Sequence, residues 1–309
     1  MRLLAYFLIL LVCAAGLSYA ISYFISPPGG GKELMNKYGI PYPTIIAHRG
    51  LSYLAPEETA PAYLLAIEAG ADYLEMDIQR TKDGILIAVH DETFERTSNI
   101  AEVFPSRKSD PIGSFTLEEI KRLDAGSWFN ATHPDRAQNS YAGLKVLTLE
   151  EIIDLAETAK NKIGLYIETK SADLYPGYEE QIVEMLKKRY WLQPQRLNRV
   201  IFQSFVLDSL KILKTLAPDI PLVYLIDDEN PPKWSEMIAQ CKGIVHGIGP
   251  PIQQALPWNI ASAHQAELFV HVWTIDQTWQ MWLVKQMGAD GIFTNRPDAA
   301  VKFYRKSKI

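Results

Sequence analysis

The sequence predicts a (β/α)8 barrel, with a small cap inserted after the second strand and an apolar transmembrane-length segment ahead of the first. Three observations carry this. Short β-branched runs alternate with helical patterns from residue 44 to the end, as in βα units around a parallel sheet. Eight such runs are present, the number a closed barrel needs. No Gly-X-Gly-X-X-Gly turn follows the first run, which argues against an open dinucleotide-binding sheet. The 309-residue length suits one barrel of ~250 residues with an extension. A hydrophobic share of 48% and a charged share of 22% exclude wholesale disorder. A net charge of −5 argues against general nucleic-acid binding. Two cysteines, Cys13 and Cys241, exclude a disulfide framework and a cysteine zinc site.

Residues 3–26 hold no charge over 24 positions, enough to span a bilayer. Arg2 precedes the run and Lys32 is the next charge, so the positive-inside rule places the body outside the cytoplasmic face. Ser18-Tyr19-Ala20 is a small-X-small site for signal peptidase, whose use would leave a secreted or periplasmic body. Length favours an uncleaved anchor. Cys13 follows the bulky Val12 and reads as a cysteine in an apolar helix rather than a lipid acceptor. Residues 27–43 read as a linker opened by Pro27-Pro28-Gly29-Gly30-Gly31, with the folded body starting near residue 40. The barrel domain is 44–300, and 301–309 reads as a basic tail with Lys302, Arg305, Lys306 and Lys308.

The eight strand candidates are Thr44–Ala47, Tyr73–Ile78, Gly164–Thr169, Val200–Ser204, Leu222–Ile226, Gly243–Ile248, Phe269–Ile275 and Gly291–Thr294. Thr116 with Glu119, and Thr148 with Glu151, have capping-box spacing and open helices. Ile85–Val89 is a ninth apolar run, too close to the second strand for a parallel crossover. With Asp83-Gly84 as its turn it makes a hairpin and returns residue 90 beside residues 75–77. Residues 91–147, with Trp128, Phe129 and Tyr141, form a long insertion that caps the active-site face.

The chemistry sits at strand ends. His48-Arg49-Gly50 directly follows the first strand, where barrel enzymes carry reactive groups. An imidazole moves protons, a guanidinium holds phosphate oxygens, and Gly50 allows close backbone approach to a ligand. Glu75 and Asp77 are i, i+2 on a strand that is apolar on both faces, so both acids point one way into a buried place and call for a cation. Glu168 and Lys170 repeat the pattern on the next barrel strand; alone they would read as an ordinary ion pair. Three inward carboxylates suit Ca2+ or Mg2+ better than zinc. His90 arrives beside them on the hairpin. Two imidazoles with a cation suit phosphodiester cleavage, one as base and the other as acid.

These residues resemble the glycerophosphodiester phosphodiesterase family. His48-Arg49-Gly50, Pro56-Glu57-Glu58-Thr59, Glu75-Met76-Asp77, Lys82-Asp83-Gly84, Val89-His90-Asp91 and Arg96-Thr97 match its blocks in order. So do Glu168-Thr169-Lys170, Gln203-Ser204-Phe205, Val272-Trp273-Thr274-Ile275-Asp276 and Asp290-Gly291-Ile292, over residues ~44–298. The resemblance implies a barrel with a small cap. It implies His48 and His90 as the acid–base pair and Glu75, Asp77 and Glu168 as metal ligands. It implies that Arg49 and Lys170 contact the phosphate or support the site and that Trp273 lines the pocket; Glu57 stands as a substrate or metal neighbour. The expected reaction hydrolyses a glycerophosphodiester to glycerol 3-phosphate and an alcohol, in phospholipid breakdown. Attack by water and attack by a substrate hydroxyl through a cyclic phosphate both use the same histidines. Two positions depart from the family: Glu58 and Asp276 stand where asparagine is usual. Glu58 bears on substrate fit rather than on the catalytic pair.

A lysophospholipase D-type enzyme on the same barrel, taking lysophospholipids, would use the same residues. A non-catalytic anchored binding protein would not need five costly buried groups. An amidohydrolase would need more histidine ligands. Among the other histidines, His271 shares a strand face with Trp273 and is a pocket candidate. His246 reads as a core histidine, and His264 and His133 as surface. Trp279 and Trp282, three apart on a helix, read as core packing.

Overall fold

A computed structural model describes residues 30–160 and 162–305. The apolar segment, Cys13 and the last four residues of the basic tail lie outside the described residues. Among those described, no helix is long and apolar enough to cross a membrane.

Among the described residues nine strands form one sheet: β1 Thr44–Ala47, β2 Tyr73–Arg80, β3 Leu86–Ala88, β4 Gly164–Thr169, β5 Val200–Ser204, β6 Leu222–Leu225, β7 Gly247–Gly249, β8 Phe269–Val272 and β9 Gly291–Thr294. All but β3 are parallel, and β1 pairs with both β2 and β9, so eight strands close into a (β/α)8 barrel. β3 runs antiparallel on β2, with Ile78 opposite Ala88 and the Val89 amide on the Asp77 carbonyl. This is the hairpin expected from Asp83-Gly84. The sixth and seventh barrel strands, β7 and β8, are shorter than expected: residues 243–246 and 273–275 pair too little to extend them.

The pleat sorts side chains between two cores. Ile45, Leu74, Met76, Leu165 and Ile167 pack outward under the helices. Ile46, Tyr73, Tyr166, Phe269 and Phe293 fill the barrel interior. Tyr73, Glu75 and Asp77 alternate with the outward set, so an aromatic layer floors the barrel and the acids stand above it. The floor is closed by a helix, α1 (Gly31–Lys37), whose Met35 is fully buried against that layer. The folded body therefore starts some ten residues before residue 40, and the expected linker contributes a plug. Leu34 and Met35 supply the apolar face that a loop reading overlooked.

The first barrel helix, α2 (Ala60–Ala69), follows β1. The cap contains three short helices, α3 (Ile100–Val103), α4 (Leu117–Ile120) and α5 (Ser127–Thr132). Ile87, Phe94, Phe115, Ile120 and Leu123 give it a small core continuous with β3. Both expected capping boxes are present, Thr116 with Glu119 on α4 and Thr148 with Glu151 on α6 (Leu149–Thr158). The later helices α7 (Tyr178–Lys188), α8 (Leu207–Leu216), α9 (Trp234–Cys241), α10 (Pro257–Gln265), α11 (Thr278–Met287) and α12 (Pro297–Arg305) complete the outer ring.

Four sequence expectations need correction. Trp279 and Trp282 are 63% and 55% exposed, because α11 buries Met281, Val284 and Met287 instead. His264 is buried, with Nε2 2.8 Å from Asp290 Oδ2. Lys302 and Arg305 belong to α12 rather than to a free tail, and Arg305 pairs with Asp72. His271 points into the aromatic floor, beside Phe269 and 3.1 Å from the Tyr166 hydroxyl.

Burial pushes His271 from an ordinary 6.5 down to about 3. Unfolding takes up a proton below the ordinary value, so this stability is present above about pH 6.5 and is lost as the pH falls toward 3. The variant His271→Phe should therefore flatten the acid side of the stability profile by up to about one proton. Urea melts between pH 7 and pH 4 would read this, and an unchanged slope would contradict it.

Candidate active site

The barrel mouth holds a cavity of about 250 Å³ lined by His48, Arg49, Glu75, Asp77, His90, Glu168, Lys170 and Trp273 among others. Eight of the nine residues singled out from the sequence therefore converge. Register explains it: Asp77 pairs with Glu168, and Glu168 with Gln203, on neighbouring strands with inward faces aligned. One oxygen from each of Glu75, Asp77 and Glu168 lies within 4.8 Å of the others. All three are buried.

Burying like charges together divides them. Burial, then Asp77 and Glu168, push Glu75 well above the ordinary carboxylate range. Burial also lifts Glu168, to about 7, with Asp77 adding and Lys170 opposing. Burial would lift Asp77 as well, but Lys170 and Arg49 more than offset it and hold Asp77 low. Arg49 Nε is 3.1 Å from Asp77 Oδ2, and Lys170 Nζ is 2.9 Å from Glu168 Oε1 and 3.7 Å from Asp77 Oδ1. The Asp77 Oδ2 and Glu168 Oε1 atoms are buried without a hydrogen bond of good geometry. An all-oxygen, acid-rich set with underused lone pairs fits a hard divalent cation.

Backbone shape places Arg49. Its φ is 55°, in the left-handed region, and its amide donates to Glu75 Oε2 at 2.8 Å. Gly50 is also left-handed, and its close neighbour is the Ala62 backbone, not the pocket. The glycine thus serves packing against α2, contrary to the ligand-approach reading.

Each catalytic candidate has its Nδ1 tied down. His48 Nδ1 is 2.8 Å from Asn295 Oδ1. Asn295 donates its Nδ2 and its backbone N to the two Asp276 oxygens, each at 2.8 Å, so its Oδ1 is left to accept. The proton of neutral His48 then sits on Nδ1, and Nε2 is the acceptor nitrogen. Burial, then Arg49, push His48 down to about 3, so the ring is neutral near pH 7. His90 Nδ1 is 2.7 Å from Asp91 Oδ1. Arg96 holds Asp91 through Nε at 2.7 Å and grips both oxygens of Glu57 at 2.8 and 2.7 Å. Glu57 in turn accepts from Arg49 at 2.9 Å. Glu57 therefore stands outside the three-acid cluster, as a clamp between two guanidinium groups.

Asn295, Asp276, Asp91 and Arg96 were given no role from sequence. Asn295 carried a readable signal: it directly follows β9, as His48 follows β1. Arg96 lies in the matched Arg96-Thr97 block, but its partners could not be read, since its reach from the cap depends on the cap's fold. His133 is half-buried against Phe129 and bonded to Arg136, rather than free on the surface. His246 Nδ1 accepts the Leu222 amide at 3.0 Å, in keeping with a structural histidine.

The model of the glycerophosphoryl diester phosphodiesterase family matches residues 48–299. The chain belongs to this family. It is 37% identical over 255 residues to the glycerophosphodiester phosphodiesterase of Bacillus subtilis strain 168, covering 82% of this chain and 83% of that one. It is 32% identical over 262 residues to the glycerophosphodiester phosphodiesterase of Caldanaerobacter subterraneus, covering 85% and 98%. Among solved structures it is similar to an Oleispira antarctica phosphodiesterase in complex with the product sn-glycerol-3-phosphate. That match has a TM-score of 0.69 and 27% identity, covering 84% of this chain and 95% of that one. Glycerophosphodiester phosphodiesterases are enzymes, phosphoric diester hydrolases, and this member is one.

Replacing Asn295 by leucine keeps the volume and removes the His48 partner. The expected loss in kcat/KM is about 10²-fold or more, with KM little changed and the thermal midpoint near the parent's. A fall confined to the thermal midpoint would show that Asn295 is only structural.

Proposed function

We propose that this phosphodiesterase uses His48 and His90 as its acid–base pair, with Glu75, Asp77 and Glu168 holding one divalent cation, Ca2+ or Mg2+. The observation that carries the reading is the paired histidines: both are fixed through Nδ1 at the mouth that holds the three buried carboxylates. The substrate is a small glycerophosphodiester, and the products are glycerol 3-phosphate and an alcohol, as expected of a step in phospholipid breakdown.

His48 has a neutral amide on Nδ1 and His90 has a carboxylate. That difference suits His48 to accept at Nε2 the proton of the attacking group, either water or a substrate hydroxyl whose cyclic phosphate water then opens, and His90 to deliver one to the leaving oxygen. An anionic phosphodiester arriving beside His48 raises its hold on that proton. Arg49 and Lys170 line the same mouth and meet the phosphoryl oxygens. When bound, the cation offsets charge that grows on those oxygens. Trp273, edge-on to Phe205 at 6.2 Å, forms an apolar wall for the glycerol carbons. Glu57 keeps Arg49 in place.

Release of glycerol 3-phosphate should require Ca2+ or Mg2+, stop with EDTA and fall by about 10²-fold or more in His48→Ala and in His90→Ala. The cation should also stabilise the fold by about 3 kcal/mol at 100 times its Kd, read as a higher thermal midpoint, and Asp77→Asn should abolish that rise. Full turnover in EDTA would sink the metal reading.

The run at residues 3–26 is read as a membrane anchor that keeps the barrel outside the cytoplasmic face. α1 enters at the barrel floor, opposite the mouth. Residues 27–30 reach at most about 14 Å, so an anchored floor sits near the bilayer and the mouth faces away. This supports water-soluble diesters over lipids of the same membrane. The full chain should stay with membranes through an alkaline carbonate wash; a soluble product beginning just after Ala20 would overturn the anchor.

A further inference from the structure

A second cavity, about 380 Å³, lies between the loop after β1 and the cap, and it shares His48 and Arg49 with the first. It therefore adjoins the reacting centre at those two side chains. Its walls include Tyr53, Trp128, Phe129 and Arg136. A diester has two arms, and the mouth with its acids and histidines accounts for one.

We propose that this cap-side groove receives the alcohol arm, and that it selects an alcohol that is anionic or rich in hydroxyls over one bearing a quaternary ammonium. The proposal rests on the diesterase reading above and adds the substrate class to it.

Quaternary ammonium groups are held by free aromatic faces. Here the protein's own cations have taken those rings. Tyr53 carries two guanidinium groups, Arg136 at 4.2 Å and Arg296 at 4.5 Å from the ring centroid. Phe129 has Arg136 at 5.7 Å and the His133 ring at 4.8 Å. Trp128 has Arg96 at 5.9 Å. A further cation would meet like charge where it needs a ring.

The polar inventory points the same way. Arg136 donates Nη1 to the Tyr53 carbonyl and Nη2 to His133 Nδ1, so the remaining His133 nitrogen is a donor. The Arg136 Nε is buried without a hydrogen bond and has only the exposed Asp135 at 3.3 Å. Glu57 is the carboxylate in the wall, and Arg49 and Arg96 engage both its oxygens. The groove thus presents donors and positive charge, with its one acid already neutralised. Hydroxyl, carboxylate or phosphate oxygens satisfy such a wall.

The test uses the full chain, supplied with the divalent cation, on glycerophosphoglycerol, glycerophosphoinositol and glycerophosphocholine. The kcat/KM for the two polyol diesters should exceed that for glycerophosphocholine by about tenfold or more. Arg136→Gln should shrink that ratio toward one, chiefly through KM for the polyols. Arg296→Gln, at the other guanidinium on Tyr53, gives a second check should the first variant fold poorly. Glycerophosphocholine turned over as well as the polyols, or a ratio unmoved by both variants, would overturn the groove assignment while leaving the diesterase intact. Failure to cleave any of the three would overturn the diesterase reading and the groove with it.

Discussion

Three carboxylates buried within one barrel mouth are the constraint on which the rest of this molecule depends. Glu75 and Asp77 share a strand, and register brings Glu168 level with Asp77. Taking such charges out of water costs several kcal/mol each unless they are paired. Arg49 and Lys170 supply two positive charges at close range, and Glu75 and Glu168 yield by holding protons more tightly. A divalent cation would displace those protons and satisfy the three carboxylates together. A floor of Tyr73, Tyr166, Phe269 and Phe293, plugged by Met35, keeps the site from opening through the barrel. Stability invested in that floor supports a mouth that is unfavourable on its own.

The same arrangement explains how the two histidines are treated. Each has Nδ1 committed to a side-chain oxygen, His48 to Asn295 from the loop after β9 and His90 to the adjacent Asp91, so neither ring can turn freely. The partners differ, an amide backed by Asp276 for His48 and a carboxylate backed by Arg96 for His90. Arg96 comes from the insertion that follows the hairpin. The cap therefore contributes to the charge network of the barrel, through Arg96, Glu57 and Arg49 to Asp77. Groove and mouth are joined by that chain of ion pairs.

What the sequence made legible follows from periodicity and strand ends. Alternation on β2 exposed the inward acids, and Asp83-Gly84 fixed the hairpin register that delivers His90. The misjudged residues are those whose environment is set by distant parts of the chain. His264 lies in a helical pattern that looks solvent-facing, yet Asp290, 26 residues on, draws it inside. Trp279 and Trp282 are apolar enough to suggest a core, but Met281 and Val284 define the buried face of α11. The plug at Met35 was hidden because a seven-residue helix after a glycine-rich stretch has too few turns for a period to show.

Glu58 joins these levels. Its φ is 57°, a left-handed conformation that asparagine tolerates and glutamate adopts reluctantly, at a cost of order 1 kcal/mol. It is buried, and its Oε1 accepts the Asp77 backbone amide at 2.8 Å. Burial, then Asp77 and Glu75, push its carboxyl well above the ordinary range. A neutral carboxylic acid presents one acceptor and one donor, much as an amide does. Glutamate at this turn is thus a buried acid whose charged form is disfavoured by burial and by its neighbours Asp77 and Glu75. It keeps the hydrogen bond that fixes the Asp77 amide, and so the strand position from which Asp77 reaches Arg49 and Lys170.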